Sequence, residues 1–185
     1  MTATASERDE LNGLLVRTGR GDQASFAELY RRAAPKLYGV CLRMARDRGD
    51  ADEVLQETFI TVWHRAATFD PGKASAMTWL TTLARNKGID RLRQHREETL
   101  GDPDHLNTLV DEDPTPAAGA EASQEYGRLA RCLEALEPQQ KRSVREAFFS
   151  GATYKELAAR LDVPLGTMKS WIRRGLLQLR ACLDS

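Results

Sequence analysis

The sequence predicts an all-α protein with two small helical domains, residues 1–98 and 121–185, joined by a flexible acidic linker at 99–120. Apolar residues recur at spacings of three and four along both segments, which is the periodicity of amphipathic helices. Alternating apolar and polar runs bounded by turn residues, the pattern of strands, are not found. The stretch LGDPDHLNTLVDEDPTPAAGA is rich in Asp, Pro and Gly and has few large side chains to bury, which is typical of a tether.

Two helices are predicted in the first quarter of the chain. The first lies within Leu11–Thr18, and the second runs from about Gln23 to Arg46. The apolar residues predicted on its inner face are Phe26, Leu29, Tyr30, Leu37, Val40, Cys41 and Met44. Proline lacks a backbone N–H and its ring clashes with the preceding turn. Pro35 is therefore expected to kink or split the second helix.

Two further helices complete the N-terminal domain. Asp50 is expected to be the N-cap of a helix that ends near Ala66, with Glu53 three residues later as in a capping box. The stretch ATFDPGKAS then interrupts the helical pattern with adjacent Pro and Gly. A fourth helix is predicted from about Ala76 to Arg96.

The C-terminal domain is also predicted to be helical throughout. Periodicity resumes near Glu121 and continues to Pro138, and a helix over Gln139–Phe149 follows. Thr153 and Glu156 then form a T-x-x-E capping box that begins a short helix. The segment Asp-Val-Pro supplies a turn, and a longer helix runs to about Leu183, which is the spacing of a helix-turn-helix.

The helix pair is expected to pack one apolar face and expose one charged face. The apolar positions are Leu157, Ala158, Leu161, Val163, Met168, Ile172 and Leu176. The opposite face of the second helix carries Lys169, Ser170, Arg173 and Arg174. Arg and Lys bind guanine edges or phosphates and Ser bonds to either, so this face fits a DNA major groove, with Tyr154 and Lys155 near the phosphates. A hairpin whose cations only keep it in solution is the alternative.

Charge and hydropathy narrow the class of protein further. The net charge of zero hides an uneven distribution, because residues 99–125 hold seven acidic and no basic side chains. No run approaches the roughly 18 apolar residues of a membrane span. The N-terminus lacks the basic and apolar regions of a signal peptide, so we expect a cytoplasmic protein without membrane insertion.

The cysteines and histidines suggest no metal chemistry. Cys41, Cys132 and Cys182 are scattered without a C-x-x-C pair, so we expect reduced thiols rather than a disulfide or a zinc site. The three histidines likewise have no partner at ligand spacing. We therefore expect neither a metal nor a cofactor.

Two long segments resemble one protein family. DADEVLQETFITVWHRAATFD, followed by MTWLTTLARNKGIDRLRQHR, is similar to region 2 of bacterial sigma factors. LEPQQKRSVREAFFSGATYKELAARLDVPLGTMKSWIRRGLLQLR is similar to region 4. With no extended domain between them, the chain resembles the extracytoplasmic-function (ECF) subfamily of the sigma-70 family, from about Phe26 to Leu183 except for the linker.

This resemblance implies a non-enzymatic initiation factor that binds core RNA polymerase and promoter DNA and is a monomer when free. Region 2 would dock on polymerase through the helix at 50–66 and open the minus-10 element, while region 4 would bind the polymerase flap and read the minus-35 element. The docking residues implied are Asp52, Glu53, Gln56, Glu57 and Trp63. An anti-sigma factor is the expected regulator.

Promoter opening requires the capture of an unstacked base in a pocket with a polar or aromatic lining. The loop at 69–78 resembles the base-capturing loop of the family, and Asn86 matches the position associated with the flipped base. The minus-10 residues implied are Phe69, Asp70, Lys73, Asn86, Lys87, Arg91 and Arg93. Trp79 is expected to belong to the core.

Trp171 and Lys155 depart from the Arg and Glu more usual in relatives, so the minus-35 sequence cannot be taken from another member.

Other classes of protein fit the sequence less well. A helix-turn-helix repressor or activator would normally carry a dimerisation or sensor domain, where residues 1–98 resemble region 2 instead. A nucleic-acid enzyme such as a recombinase would need a nucleophile or metal-binding carboxylates, and no Ser or Cys has a recognisable base partner. A scaffold acting without DNA would leave both motifs unexplained.

Overall fold

A computed structural model describes the backbone of residues 2–98 and 120–184, and the side chains of residues 6–96 and 127–184. Every regular element in these ranges is helical, as the apolar periodicity predicts. The predicted linker at 99–120 lies outside the described residues, apart from Ala120, which begins a helix. None of the described helices combines the length and the apolar character that a membrane span needs.

The chain divides into two compact units, Met1–Thr108 and Leu109–Ser185. The elements of the first unit are α1 (Thr2–Thr18), α2 (Gln23–Leu42), α3 (Arg48–Arg65), a 3-10 turn (Ala66–Thr68) and α4 (Ala76–Glu98). Those of the second unit are α5 (Ala120–Glu134), α6 (Pro138–Phe149), α7 (Tyr154–Arg160) and α8 (Leu165–Asp184).

The first unit packs its four helices around an aliphatic core. Leu15 of α1, Leu29 and Leu37 of α2, Val62 of α3 and Leu80 of α4 have no exposed surface. Each such side chain contributes about 1.5–3 kcal/mol by leaving water. This core fixes the outer faces of α3 and α4 and the loop that joins them.

Three helix boundaries in the first unit differ from the prediction: α1 begins at Thr2 rather than at Leu11 or later, α2 ends at Leu42 rather than near Arg46, and α3 begins before Asp50. Asp47, not Asp50, is the N-cap of α3, and its Oδ1 accepts a hydrogen bond from the Asp50 backbone N at 2.9 Å. Asp50 stands in the first turn of α3 and is buried. The prediction was wrong because two aspartates stand three residues apart, and the earlier one reaches the free N–H groups of the first turn. Pro35 lies inside α2 without ending it.

A disulfide joins Cys132 of α5 to Cys182 of α8, so the prediction of reduced thiols was wrong for this pair. Their Cα atoms are 5.8 Å apart although 50 residues separate them in the sequence. Leu136 and Leu179 are buried beside the bridge, and it is the packing of α5 on α8 that brings the sulfurs together. Cys41 remains a thiol in the core of the first unit, where burial raises its pKa to about 11. Among the residues with described side chains, no three potential ligands converge on a metal site.

The second unit contains the predicted helix-turn-helix, α7 followed by α8. Thr153 and Glu156 form the capping box: the Thr153 N donates to Glu156 Oε2 at 2.6 Å, and the Glu156 N donates to Thr153 Oγ1 at 3.3 Å. In the turn Asp162 takes a left-handed backbone conformation with φ 50°, and the Val163 N donates to the Ala158 carbonyl at 2.9 Å.

The packed face of α8 differs by one position from the prediction. Its buried residues are Met168, Ile172, Gly175 and Leu179. Leu176 was expected among them but is 51% exposed, because neighbouring helix residues point about 100° apart. An added Cβ at Gly175 would lie 2.9 Å from Val144 Cγ2 of α6. The missing side chain at this glycine therefore lets α6 and α8 approach closely.

Candidate functional site

An apolar pocket of about 580 Å³ lies between α2 and α3. Aromatic rings line it: the Phe26 and Trp63 rings meet edge to face with centroids 5.2 Å apart, and Tyr30 lies 4.5 Å from Phe59. Tyr30 and Ile60 are 45% and 53% exposed, respectively, although both are large and largely apolar. Exposed apolar surface around a concave site is typical of a protein-binding surface.

The five residues implied in polymerase docking lie on two different faces of α3. Asp52, Gln56 and Trp63 line the pocket. Glu53 and Glu57 are instead paired with α4: Glu53 contacts Arg91, and Glu57 Oε2 lies 3.7 Å from Lys87 Nζ. The polar face of α3 therefore divides into an edge directed at the pocket and an edge directed at α4.

The contribution of α2 to this pocket was not predicted from the sequence. Phe26 and Tyr30 were placed on the inner face of α2, whereas both line the pocket. Ile60 was the available signal, because it is an apolar residue one turn after Gln56 on an otherwise polar face of α3.

Asp50 is the centre of the ion pairs between α3 and α4. Its Oδ1 accepts a hydrogen bond from Arg91 Nε at 2.8 Å, and its Oδ2 lies 3.0 Å from His95 Nε2. Burial alone would raise the pKa of Asp50, but the hydrogen bonds from Arg91 and His95 outweigh it and lower the pKa below its ordinary value. Arg91 and Lys87, two cations implied in DNA binding, are thus already paired with carboxylates of α3.

Asn86 and Arg93 lie on the exposed side of α4. Thr82 and Asp90 share this side at intervals of one helical turn. The Asn86 amide offers both a donor and an acceptor to a base. The four α4 residues implied in minus-10 contacts therefore lie on two sides of the helix. Asn86 and Arg93 are exposed, whereas Lys87 and Arg91 face α3.

The loop between the 3-10 turn and α4 is shaped by Asp70. Its Oδ1 accepts from the Gly72 N at 2.9 Å, and its carbonyl accepts from the Lys73 N at 3.0 Å. The Lys73 side chain is 84% exposed. Phe69 is buried and its ring packs on Trp79, with centroids 5.9 Å apart, so Phe69 belongs to the core rather than to the surface of the loop. Trp79 packs against the same core, as expected.

The helix-turn-helix presents its cations on the face opposite its core. Met168 and Ile172 of α8 pack with Leu157 and Ala158 of α7. The residues implied in minus-35 binding are exposed, apart from the half-buried Ser170: Tyr154, Lys155, Lys169, Arg173 and Arg174. This face combines side chains that bind phosphate with side chains that read guanine.

Comparison with known proteins gives the family. Residues 29–98 match the model of Sigma-70 region 2, and residues 126–179 match the model of Sigma-70, region 4. The ECF RNA polymerase sigma factor SigK of Mycobacterium tuberculosis is 36% identical over 185 residues, which cover 100% of this chain and 99% of SigK. The chain belongs to the ECF sigma factors of the sigma-70 family. Sigma factors are not enzymes; they bind core RNA polymerase and direct initiation at promoters.

Two further relatives have similar lengths. The ECF sigma factor RpoE of Cereibacter sphaeroides is 41% identical over 159 residues, 86% of either chain. SigE of Rhodobacter sphaeroides, solved in complex with the anti-sigma ChrR, is 31% identical, with a TM-score of 0.46 and coverage of 95% of this sigma factor and 99% of that chain. The region-2 match begins at Leu29, so α1 lies outside it.

Proposed function

We propose that this ECF sigma factor docks on core RNA polymerase through the pocket between α2 and α3. The pocket is the observation that supports the proposal, because the exposure of Tyr30 and Ile60 to water beside a cluster of aromatic rings does not stabilise the free chain. A partner helix with apolar side chains would bury them. Asp52 and Gln56 at the pocket edge favour a partner that is basic beside its apolar residues. Glu53 and Glu57 then brace α4 rather than touch polymerase.

The docking surface is tested by placing one charge in the pocket. Ile60→Asp should weaken binding to core polymerase by more than about 2 kcal/mol, roughly thirtyfold in Kd, because it desolvates a carboxylate at the centre of the contact. Leu42→Asp is the matched control, since Leu42 is 41% exposed on α2 and lies outside the pocket. Fluorescence anisotropy of the labelled full-length protein gives both affinities. Equal binding by the two variants would refute the assignment.

We propose that the minus-10 element is opened by the loop at 69–78 and α4. Asn86 would hydrogen-bond the unstacked base, and the exposed Lys73 and Arg93 would follow the single-stranded phosphates. Lys87 and Arg91 would join them by exchanging a carboxylate for a phosphate, as Lys73 would, because its Nζ lies 3.6 Å from Asp70 Oδ2. Asp70 and the buried Phe69 would shape the loop rather than contact the base. Substituting Asn86 should change the minus-10 preference and leave duplex minus-35 binding intact.

We propose that α8 reads the minus-35 element with Lys169, Ser170, Arg173 and Arg174, while Tyr154 and Lys155 of α7 contact phosphates. Arg174→Ala should weaken binding to a cognate minus-35 duplex by about 1–3 kcal/mol if it reaches a base edge. Arg180→Ala is the control on the same helix, because Arg180 Nε lies 3.6 Å from Asp184 on the following turn. A loss shared equally by both variants would indicate nonspecific charge rather than base reading.

The remaining parts of the proposal follow from the need to meet polymerase and DNA. The acidic segment at 99–120 would be a flexible linker that lets the region-2 domain (1–98) and the region-4 domain (121–185) reach separate promoter elements. The free protein would be a cytoplasmic monomer, since polymerase and chromosome are in the cytoplasm. An anti-sigma factor would restrain it by covering the α2/α3 pocket, and such a partner should compete with core polymerase for Ile60.

A further inference from the structure

The loop that precedes α4 is held at its C-terminal end by α1. Asn12 Oδ1 accepts a hydrogen bond from the Ala76 backbone N at 2.7 Å. Ala76 is the first residue of α4, so its N–H has no partner inside that helix. Asn12 therefore caps α4 from a position 64 residues earlier in the chain.

The N-terminal end of the same loop rests on the residue that follows α1. An ideal Cβ at Gly19 would lie 2.9 Å from the carbonyl carbon and oxygen of Ala66 and from the Cα of Ala67. Both belong to the 3-10 turn that leads into the loop, and the Phe69 N donates to the Ala66 carbonyl at 3.1 Å. The turn fits against α1 because position 19 has no side chain.

The hydrogen bonds within the loop are local. Asp70 closes a turn on Gly72, and Ser75 Oγ accepts from the Thr78 N at 3.2 Å. These bonds shape each half of the loop, but they do not by themselves fix where it stands on the unit. The contacts of Asn12 and Gly19, one at each end of the loop, contribute to that position together with the buried ring of Phe69.

We propose that α1 positions the loop at 69–78 for base capture, with Asn12 as its positioning residue. The inference rests on the proposed role of this loop at the minus-10 element. A base-binding site needs its groups held to within about 0.5 Å, and support from outside the loop supplies that precision. Because α1 lies outside the matched region 2, it adds a determinant of minus-10 selectivity that the region-2 motif does not contain.

The test compares four variants of the full-length protein with core polymerase. A promoter library transcribed by the wild type first gives the preferred minus-10 sequence and a variant with one base changed. Opening is then followed by the fluorescence of 2-aminopurine in the non-template strand. Asn12→Ala should reduce opening of the preferred promoter on the order of fivefold, the factor that corresponds to the loss of one hydrogen bond of about 1 kcal/mol. It should also lower the ratio of opening between the preferred promoter and the promoter with one base changed. Asn12→Asp keeps the acceptor and should restore both values.

Two further variants separate positioning from general destabilisation. Gly19→Ala should reproduce the loss by pushing the other end of the loop away. Glu7→Gln removes the ion pair between Glu7 and Lys36 of α2, 3.8 Å apart, without touching the loop, and should behave as wild type. Binding of core polymerase and of minus-35 duplex should be unchanged in all four variants.

The outcomes distinguish this inference from the function on which it rests. Wild-type opening and selectivity in both Asn12→Ala and Gly19→Ala would overturn the inference alone. So would an equal loss in Glu7→Gln, or a failure of Asn12→Asp to improve on Asn12→Ala. If the wild-type protein gives no start site with core polymerase on any library promoter, the proposed function itself fails.

Discussion

Removing the disulfide between α5 and α8 should destabilise the second unit by about 4 kcal/mol. The bond closes a loop of 50 residues, and chain-entropy arguments give that value at 25 °C for a loop of this length. Among the described side chains, the cluster around the bridge is small: Leu136 and Leu179 are its buried aliphatic residues, and Leu133 and Val144 pack against it partly buried. At about 1.4 kcal/mol per factor of ten, the unfolded population of this unit should rise roughly a thousandfold.

Hydrogen exchange followed by mass spectrometry measures this change with an internal control. Reduction, or the double change Cys132→Ser with Cys182→Ser, should lower the protection of the slowest amides of α5 and α8. Peptides from α2 should not change, because Cys41 is buried and its raised pKa keeps it a thiol. Reductant added to the double variant should have no further effect. Unchanged protection in α8, once both sulfurs are shown to be reduced, would refute the entropic reasoning.

Three further predictions concern ion pairs and packing. Asp50→Asn should destabilise the first unit by about 1–2 kcal/mol, because it weakens charge-assisted hydrogen bonds to Arg91 and His95 that are only partly buried. Because the folded pKa of Asp50 is lowered, its contribution is complete above the unfolded pKa of about 3.9 and is lost as the pH falls through the folded value. The acid-induced drop in Tm should therefore be smaller in the variant. Gly175→Ala should cost about 1–2 kcal/mol in denaturant unfolding because its Cβ would meet α6 at 2.9 Å, whereas Gly166→Ala, with nothing within 4 Å, should cost nothing. Glu57→Gln should free Lys87 to bind a phosphate. The affinity for single-stranded DNA should then fall more steeply with salt concentration, by the amount expected for about one additional phosphate contact. An unchanged slope in anisotropy titrations would contradict the pairing.

Most of the helical framework could be predicted because its signals are local. The capping box of Thr153 and Glu156 needs only residues three apart, and the structure confirms it. The helix-turn-helix follows from the same kind of pattern. Apolar periodicity also located α4 and α6 to within a few residues.

The features that the sequence analysis missed depend on contacts between distant segments. The disulfide requires α5 to pack on α8, and the rule that intracellular proteins keep their thiols reduced argued against it. Glu53 and Glu57 look like a solvent-facing acidic edge until α4 places Arg91 and Lys87 beside them. The cap from Asn12 joins residues that share no motif. Spacing along one helix carries no information about these pairs.

The disulfide cannot exist while the second unit is being synthesised. Cys132 precedes Cys182 by 50 residues, which is about 2.5 to 10 seconds of synthesis at roughly 5 to 20 residues per second. The cluster that packs α7 on α8 contains Leu157, Met168 and Ile172 but neither cysteine. The helix-turn-helix can therefore assemble before the sulfurs meet. The bridge therefore joins α5 to an α7–α8 pair whose own apolar cluster it does not touch, and closing it requires an oxidant.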